Sequence, residues 1–157
     1  MKCAIMPSAI QTRLVISLLI AAFAGWALPA CAPGQAEMAQ RKERRLLLYG
    51  RPEAHAARNL WQTAIEALRI AVAAGTFGPE WSFQAIGTTG EGGEVDLGDG
   101  RGLELKPRTG QRQYAEFLAG HDLGVELMDA PHPSLVPFEM ASAGMPTAAA
   151  TAVTVAR

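Results

Sequence analysis

Short continuous apolar runs alternate with amphipathic segments along the chain from residue 44 onward. The run "RRLLLYG" (44–50) ends in glycine and is typical of a strand buried in a parallel sheet. The segment that follows (51–75) predicts an amphipathic helix with a glycine stop at its end. Its apolar side chains recur at spacings of four, three and four residues: Trp61, Ile65, Leu68 and Val72.

The same alternation continues towards the C-terminus. Residues 88–102 are rich in glycine and acidic side chains, which predicts a surface loop. The remaining apolar segments predict strands over 80–87, 103–107 and 122–128, and helices over 110–120 and 138–144.

Strands that alternate with helices predict right-handed βαβ units. The expected fold is therefore α/β, a Rossmann-like parallel sheet with flanking helices, although no GxGxxG follows any strand. We assign the domain to residues 44–147. Residues 148–157 are an alanine-rich tail that can form a strand at "TAVTVA". A further strand and helix are expected after residue 147, so the domain is expected to be cut short.

An uncharged apolar stretch (14–36) precedes the domain, and the basic run "RKERR" (41–45) follows it. Three interpretations of this leader and linker (1–43) stay open. It can be a secretory signal that exports the rest, with "LPAC" ending at Cys31 resembling a lipoprotein cleavage box. It can be an uncleaved anchor, with membrane association through residues 14–32 and the domain kept in the cytoplasm. It can also be a foreign leader from a misplaced start.

Length, charge and cysteine content narrow the function classes. The 157 residues suffice for one domain with a core, and a net charge of −1 gives no argument for a nucleic-acid partner. Both cysteines lie in the leader, so the domain has no disulfide framework or cysteine metal site. His55, His121 and His132 lack ligand spacing, and no GxSxG is present; neither a metal site nor a serine hydrolase is expected.

Polar groups follow two predicted strands at their carboxyl ends, where ligands bind in open parallel sheets. Arg51, Arg58 and Asn59 come after the first strand, at the start of the predicted helix. Two guanidinium groups beside a helix N-terminus suit a diphosphate. The alternative is a solvated loop whose arginines pair with Glu53 or Glu80.

The second group follows the fourth strand and contains His132, Ser134 and Glu139. Ser134 and backbone N–H groups can hold phosphate oxygens, and the Glu139 carboxylate can accept hydrogen bonds from two adjacent ribose hydroxyls. The alternatives are an acid that complements the helix dipole at Glu139 and a loop imidazole bonded to the backbone at His132.

Two blocks of the sequence resemble a known family. "LLLYGRPEAHAARNLWQTAIEALRIAV" and "YAEFLAGHDLGVELMDAPHPSLVPFEMASAGMPT", with the spacing between them, are similar to the C-terminal domain of GT-B glycosyltransferases. The "HPS…EMAxxG" pattern looks closest to the rhamnosyltransferase group that builds bacterial surface glycans. The resemblance covers about residues 44–147.

This resemblance implies a site for a nucleotide-sugar donor, with no other cofactor. It places Arg51 at the donor diphosphate, Arg58 where many relatives carry a lysine for that anion, and Glu139 as the second, ribose-binding glutamate of the EX7E pattern. The first glutamate would fall at Pro131, which leaves His132 and Ser134 as candidates to meet the sugar.

The resemblance also implies a glycan acceptor as second partner and a place in the cytoplasm or at the cytoplasmic face of the membrane. The N-terminal domain, which would supply the general base, is not visible, so no catalytic residue is assigned. The chain is expected to bind donor without turnover. The alternative is an exported, lipidated envelope protein that binds a small ligand.

Overall fold

The structure, a computed structural model, describes residues 40–130 and 134–152. The strands are β1 (Arg44–Tyr49), β2 (Trp81–Thr88), β3 (Gly93–Gly98), β4 (Arg101–Pro107), β5 (Leu123–Asp129) and β6 (Thr147–Ala152). The helices are α1 (Trp61–Ala73), α2 (Gln111–Ala119) and α3 (Val136–Ser142), and a 3-10 helix covers Ala54–Asn59. The strands form one sheet in the order β3-β4-β2-β1-β5-β6.

Every pairing in the sheet is parallel except that of β3 with β4. Strands β1, β2 and β5 lie inside the sheet, so other elements must cover both of their faces. The α/β, Rossmann-like architecture expected from the sequence is confirmed.

Two apolar cores cover the two faces of the sheet. On one face, α1 packs its apolar stripe against alternate residues of β1, β2 and β5, such as Leu46, Phe83 and Val125. On the other face, α2 and α3 supply Leu118 and Met140. Because side chains alternate along a strand, Leu47 of β1 points into this second core while its neighbours point into the first.

The prediction of a surface loop over 88–102 is wrong, because part of it forms the β3–β4 hairpin. Leu97 is buried and Val95 packs against the same core, which gives β3 a reason to pair. The two-residue connection Asp99-Gly100 has positive φ at both positions, 53° and 68°. Such turns favour the Asp-Gly pair and match the twist of the strands. No helix therefore lies between β2 and β4.

The predicted helix over 51–75 begins ten residues later than expected. A 3-10 helix comes first, and Leu60 then adopts a left-handed backbone (φ 46°) that separates it from α1. The regular apolar spacing begins only at Trp61, so burial of that stripe determines where α1 starts. The predicted stop is confirmed, since α1 ends at Ala73 and Gly75 has φ 68°.

The C-terminal strand β6 lies beside β5 and crosses the expected domain end at residue 147, with Ala148 paired to Val125. It begins four residues before the predicted strand, whose last part lies outside the described residues. No helix in the described ranges is long and apolar enough to cross a membrane. The apolar leader itself lies outside those ranges.

Candidate functional site

A cavity of about 370 Å³ opens at the carboxyl ends of the parallel strands. Tyr49 of β1 and Ile86 of β2 form its floor, because both lie near the ends of their strands. Tyr114 of α2 and Val136 of α3 form parts of its wall. Aromatic and aliphatic walls with a few polar groups are typical of a small-molecule site.

Glu139 and Ser134 line this cavity together, as the sequence predicted for a site after the fourth strand. Glu139 lies in the first turn of α3 and its side chain is exposed to the cavity. The Ser134 hydroxyl oxygen accepts a hydrogen bond from the backbone N–H of Val136 at 3.2 Å. The serine therefore helps to hold the start of α3, where the predicted role was contact with phosphate.

Arg108 also lines this cavity and provides a positively charged group there. It was not among the residues predicted from the sequence. It follows β4, and its backbone N–H donates to the carbonyl oxygen of Thr88 at 3.0 Å. Its exposed guanidinium forms no ion pair with another residue in the described part of the chain. The cavity thus presents one carboxylate and one available guanidinium.

Two weak acids in or beside the cavity wall have raised pKa values. Glu126 of β5 is 2% exposed, and this burial raises the pKa of its carboxyl group, with the charge of Glu139 adding to the effect. Burial likewise raises the pKa of Tyr114, again with a contribution from Glu139. The Tyr114 hydroxyl makes no hydrogen bond of normal geometry to a described residue.

Arg51 is not part of the lining of the main cavity. It lines another cavity, of about 420 Å³, with Trp61 of α1. Its Nη2 atom lies 2.9 Å from Nε2 of His55, and its Nε atom lies 3.8 Å from Oε2 of Glu53. The expected alternative, pairing with Glu53, is therefore observed, and part of the Arg51 charge is already balanced.

The ends of β1 and β2 approach each other closely between these two cavities. A Cβ atom on Gly87, which lines the main cavity, would lie 3.0 Å from the carbonyl oxygen of Gly50 and 3.3 Å from Cγ of Arg51. Gly87 also has φ 130°, a conformation that side chains disfavour. Glycine at this position therefore lets the Arg51 stem pass directly behind the main cavity.

Glu53 ties the loop after β1 to the end of β2. Its Oε1 atom accepts hydrogen bonds from the Thr88 hydroxyl (2.6 Å), the Thr89 N–H (2.5 Å) and the Thr89 hydroxyl (3.1 Å). These donors lower the pKa of Glu53 from 4.5 to about 2, and the hydrogen bond from the Thr88 hydroxyl has the largest effect. The carboxylate is therefore stabilised in its charged form.

Replacing Glu53 with glutamine is expected to lower the free energy of unfolding at pH 7 by about 1–2 kcal/mol, since the carboxylate is only partly screened by solvent. The lowered pKa means that this stabilisation is present above pH 4.5 and is lost as the pH falls towards 2. Urea denaturation from pH 7 to pH 2 measures it. Glu66→Gln, at an exposed ion pair with Arg69, is the control and should change stability by less than about 0.5 kcal/mol. A Glu53→Gln deficit that stays constant down to pH 2 would contradict the assignment.

The other predicted residues do not join the main cavity. Arg58 is exposed on the 3-10 helix, and its side chain forms no ion pair or hydrogen bond with another described residue. Asn59 is 4% exposed, so its side chain is part of the interior rather than a surface ligand. Both lie at the end of the 3-10 helix, directly before Leu60 and the first residue of α1, and neither lines the main cavity. His132 lies outside the described residues.

Two signals in the sequence were available for the residues that were missed. Arg108 directly follows a strand, so the rule that ligands bind at carboxyl ends applies to it as well. Glu126 is an acid inside the otherwise apolar run 123–128 of β5, and acids are rarely buried without a reason. Among the described residues, no group of three or more His, Cys, Asp and Glu side chains is arranged to hold a metal ion.

Fold and cavity together define a Rossmann-like α/β domain with a ligand site at the carboxyl edge of its sheet. The profile of the family described as "WsaF, C-terminal domain" matches residues 44–154, and the chain belongs to this family. The domain is therefore glycosyltransferase-associated. A comparison with curated proteins found no match.

Proposed function

We propose that the main cavity binds the nucleotide part of a nucleotide-sugar donor and that the domain is the donor-binding half of a glycosyltransferase. The observation that carries the proposal is that Glu139 and Arg108 both line one cavity at the carboxyl ends of the strands. A volume of about 370 Å³ is within the range of small-molecule sites. Membership of a glycosyltransferase-associated family supports this ligand class.

Each part of the ligand has a partner of suitable chemistry. The paired oxygens of the Glu139 carboxylate suit two neighbouring ribose hydroxyls, which both donate. The Arg108 guanidinium suits the diphosphate, since its planar fork of donors matches phosphate oxygens. The rings of Tyr49 and Tyr114 offer the apolar and aromatic surface that a base requires.

The proposed reaction is displacement at the anomeric carbon of the donor. The bond from that carbon to the diphosphate oxygen breaks, a bond to the acceptor oxygen forms, and the acceptor proton passes to a base from another domain. Arg108 would stabilise the negative charge that develops on the leaving diphosphate. By resemblance the sugar is rhamnose and the acceptor a growing bacterial surface glycan, and we carry both as part of the proposal.

Isothermal titration calorimetry of the full-length chain in detergent tests the proposal, with UDP-glucose, GDP-mannose and dTDP-rhamnose as ligands. At least one is expected to bind with a Kd between about 1 μM and 1 mM, the usual range of substrate affinities. A deoxyribose donor such as dTDP-rhamnose offers Glu139 only one hydroxyl of the pair. Absence of binding by all three ligands to folded protein would contradict the proposed function.

A further inference from the structure

The amino ends of the parallel strands lie at the edge of the sheet opposite to the main cavity, and this edge is basic. Residues 41–45, at the start of β1, make up this basic edge together with Asp122, which directly precedes β5. Its charged residues are the cations Arg41, Lys42, Arg44 and Arg45 and the acids Glu43 and Asp122. The edge therefore carries a net charge of +2, whereas the whole chain carries −1.

Asp122 fixes the basic residues to the sheet. Its side chain is 2% exposed, and its Oδ1 atom lies 3.6 Å from Nη1 of Arg41 and 3.8 Å from Nη1 of Arg44. Its Oδ2 atom accepts a hydrogen bond from the backbone N–H of Arg45 at 2.8 Å. Nη2 of Arg41 also donates to the carbonyl oxygen of Ala119 at 2.8 Å. The negative charge of Asp122 is thus buried beneath the edge, and the cations lie on its outer side.

Two cations of the edge are available to an external partner. Lys42 and Arg45 are exposed, and their side chains form no ion pair or hydrogen bond with another described residue. Both line a surface hollow of about 420 Å³, to which Arg41 contributes a third cation and Glu43 an acid. Ammonium and guanidinium groups are the usual partners of phosphate oxygens, so the chemistry of this hollow suits phosphate groups.

The sequence places the basic edge close to an apolar segment. Residues 14–36 carry no charge, and four residues separate them from Arg41. If residues 14–32 are inserted in a bilayer, the eight residues that follow can span at most about 30 Å. The eight residues of β2 set the two edges of the sheet about 25 Å apart. A short connection of this kind brings the basic edge, rather than the carboxyl edge with the main cavity, to the bilayer.

We propose that the basic edge docks on a bilayer that contains anionic lipids, beside the point at which residues 14–32 enter it. Lys42 and Arg45 contact lipid phosphates there. Basic side chains next to an apolar membrane segment are attracted by anionic headgroups, and salt weakens this attraction. None of these residues lines the main cavity, so the inference goes beyond the proposed function and does not depend on it. The cavity remains open to the solution on the far side of the sheet.

Acetylation of lysines in the full-length chain, mixed with preformed vesicles and treated with a membrane-impermeant reagent, tests the inference. Mass spectrometry reads the rate at each of the three lysines, Lys2, Lys42 and Lys106. Lys106 lies near the carboxyl end of β4 and is the internal reference for Lys42. The ratio of the Lys42 rate to the Lys106 rate should be about threefold or more lower with vesicles that contain about one third phosphatidylglycerol than with pure phosphatidylcholine. Sodium chloride at about 1 M, where the Debye length is about 3 Å, should remove the difference.

Arg45→Glu should abolish the difference between the two vesicle types, because it reverses an exposed charge of the basic edge. Arg45→Gln removes the charge without adding an acid near Asp122, and it should give a smaller change in the same direction. Arg112→Glu is the matched control. The Arg112 side chain is 92% exposed on α2, so this variant alters the net charge by the same amount at a distant site and should behave like the wild type.

Three results would overturn the inference. The first is an equal ratio of rates with the two vesicle types, or a chain that stays in solution with both. The second is an equal effect of Arg45→Glu and Arg112→Glu, which would show a general dependence on net charge. The third is a decrease of the Lys42 rate by inorganic phosphate in detergent as large as that caused by anionic vesicles, which would indicate a site for a small anion in place of a bilayer.

Discussion

Glu139→Ala is expected to weaken binding of the donor nucleotide by about 10- to 100-fold. Hydrogen bonds to a charged acceptor contribute about 1.5–3 kcal/mol, and the alanine variant loses those that the carboxylate accepts from the ribose. Glu139 is exposed on a short surface helix, so the fold should tolerate the change. Calorimetric titration with the best donor of the panel measures the ratio of the two dissociation constants.

Glu116→Ala is the matched control for this variant. Glu116 is also an exposed helical acid, and its carboxylate pairs with Arg112 at 3.2 Å on α2. Its removal changes the net charge by the same amount and should leave the dissociation constant within about twofold, since exposed pairs contribute little. Equal losses of affinity in both variants would show a general charge effect and would count against a direct contact of Glu139 with the ligand.

A large loss of stability is expected from a substitution in the core between α1 and the sheet. Leu68→Ala is expected to reduce the free energy of unfolding by about 2–5 kcal/mol, because Leu68 is 1% exposed and its removal leaves a cavity between α1 and the sheet. That core includes β1 and β2, whose ends contribute Tyr49 and Ile86 to the lining of the ligand cavity. Urea denaturation with a constant m-value measures the change.

Ile70→Ala provides the comparison on the same helix. Ile70 is 36% exposed and faces away from the core, so its replacement should cost less than about 1 kcal/mol. Equal destabilisation by the two variants would contradict the orientation of α1. Protein that remains folded in the Leu68 variant should still bind donor, since Leu68 contributes to stability and not to the ligand site.

Strands β1, β2 and β5 and helix α1 could be predicted because their patterns of apolar residues are regular. The apolar stripe of α1 and the apolar run in β1 are both buried in the core. Burial of this kind can be predicted from the local pattern of apolar and polar residues. The hairpin was missed because its glycines and acids suggested a loop. The alternation of Val95 and Leu97 before Asp99-Gly100 was the contrary signal, and it indicates pairing with β4.

The candidate site was predicted in part. The rule that ligands bind at the carboxyl ends of parallel strands grouped Ser134 and Glu139, and the structure brings both to the lining of one cavity. The same rule did not exclude Arg51 and Arg58 from that cavity, because no local pattern indicated the 3-10 helix that carries Arg58 or the contact of Arg51 with His55. The role of a polar group also depends on partners distant in sequence, as the contact of Glu53 with Thr88 and Thr89 shows.

The contact that decides the proposed function is that of Glu139 with the ribose of a nucleotide in the main cavity. Its most direct test is a comparison of UDP with 2′-deoxy-UDP as ligands of the wild type and of Glu139→Ala, measured by calorimetry. The wild type should bind UDP about tenfold more tightly, since the missing hydroxyl removes one hydrogen bond to a charged acceptor. The variant should bind both ligands equally. An undiminished preference for UDP in Glu139→Ala would contradict the claim.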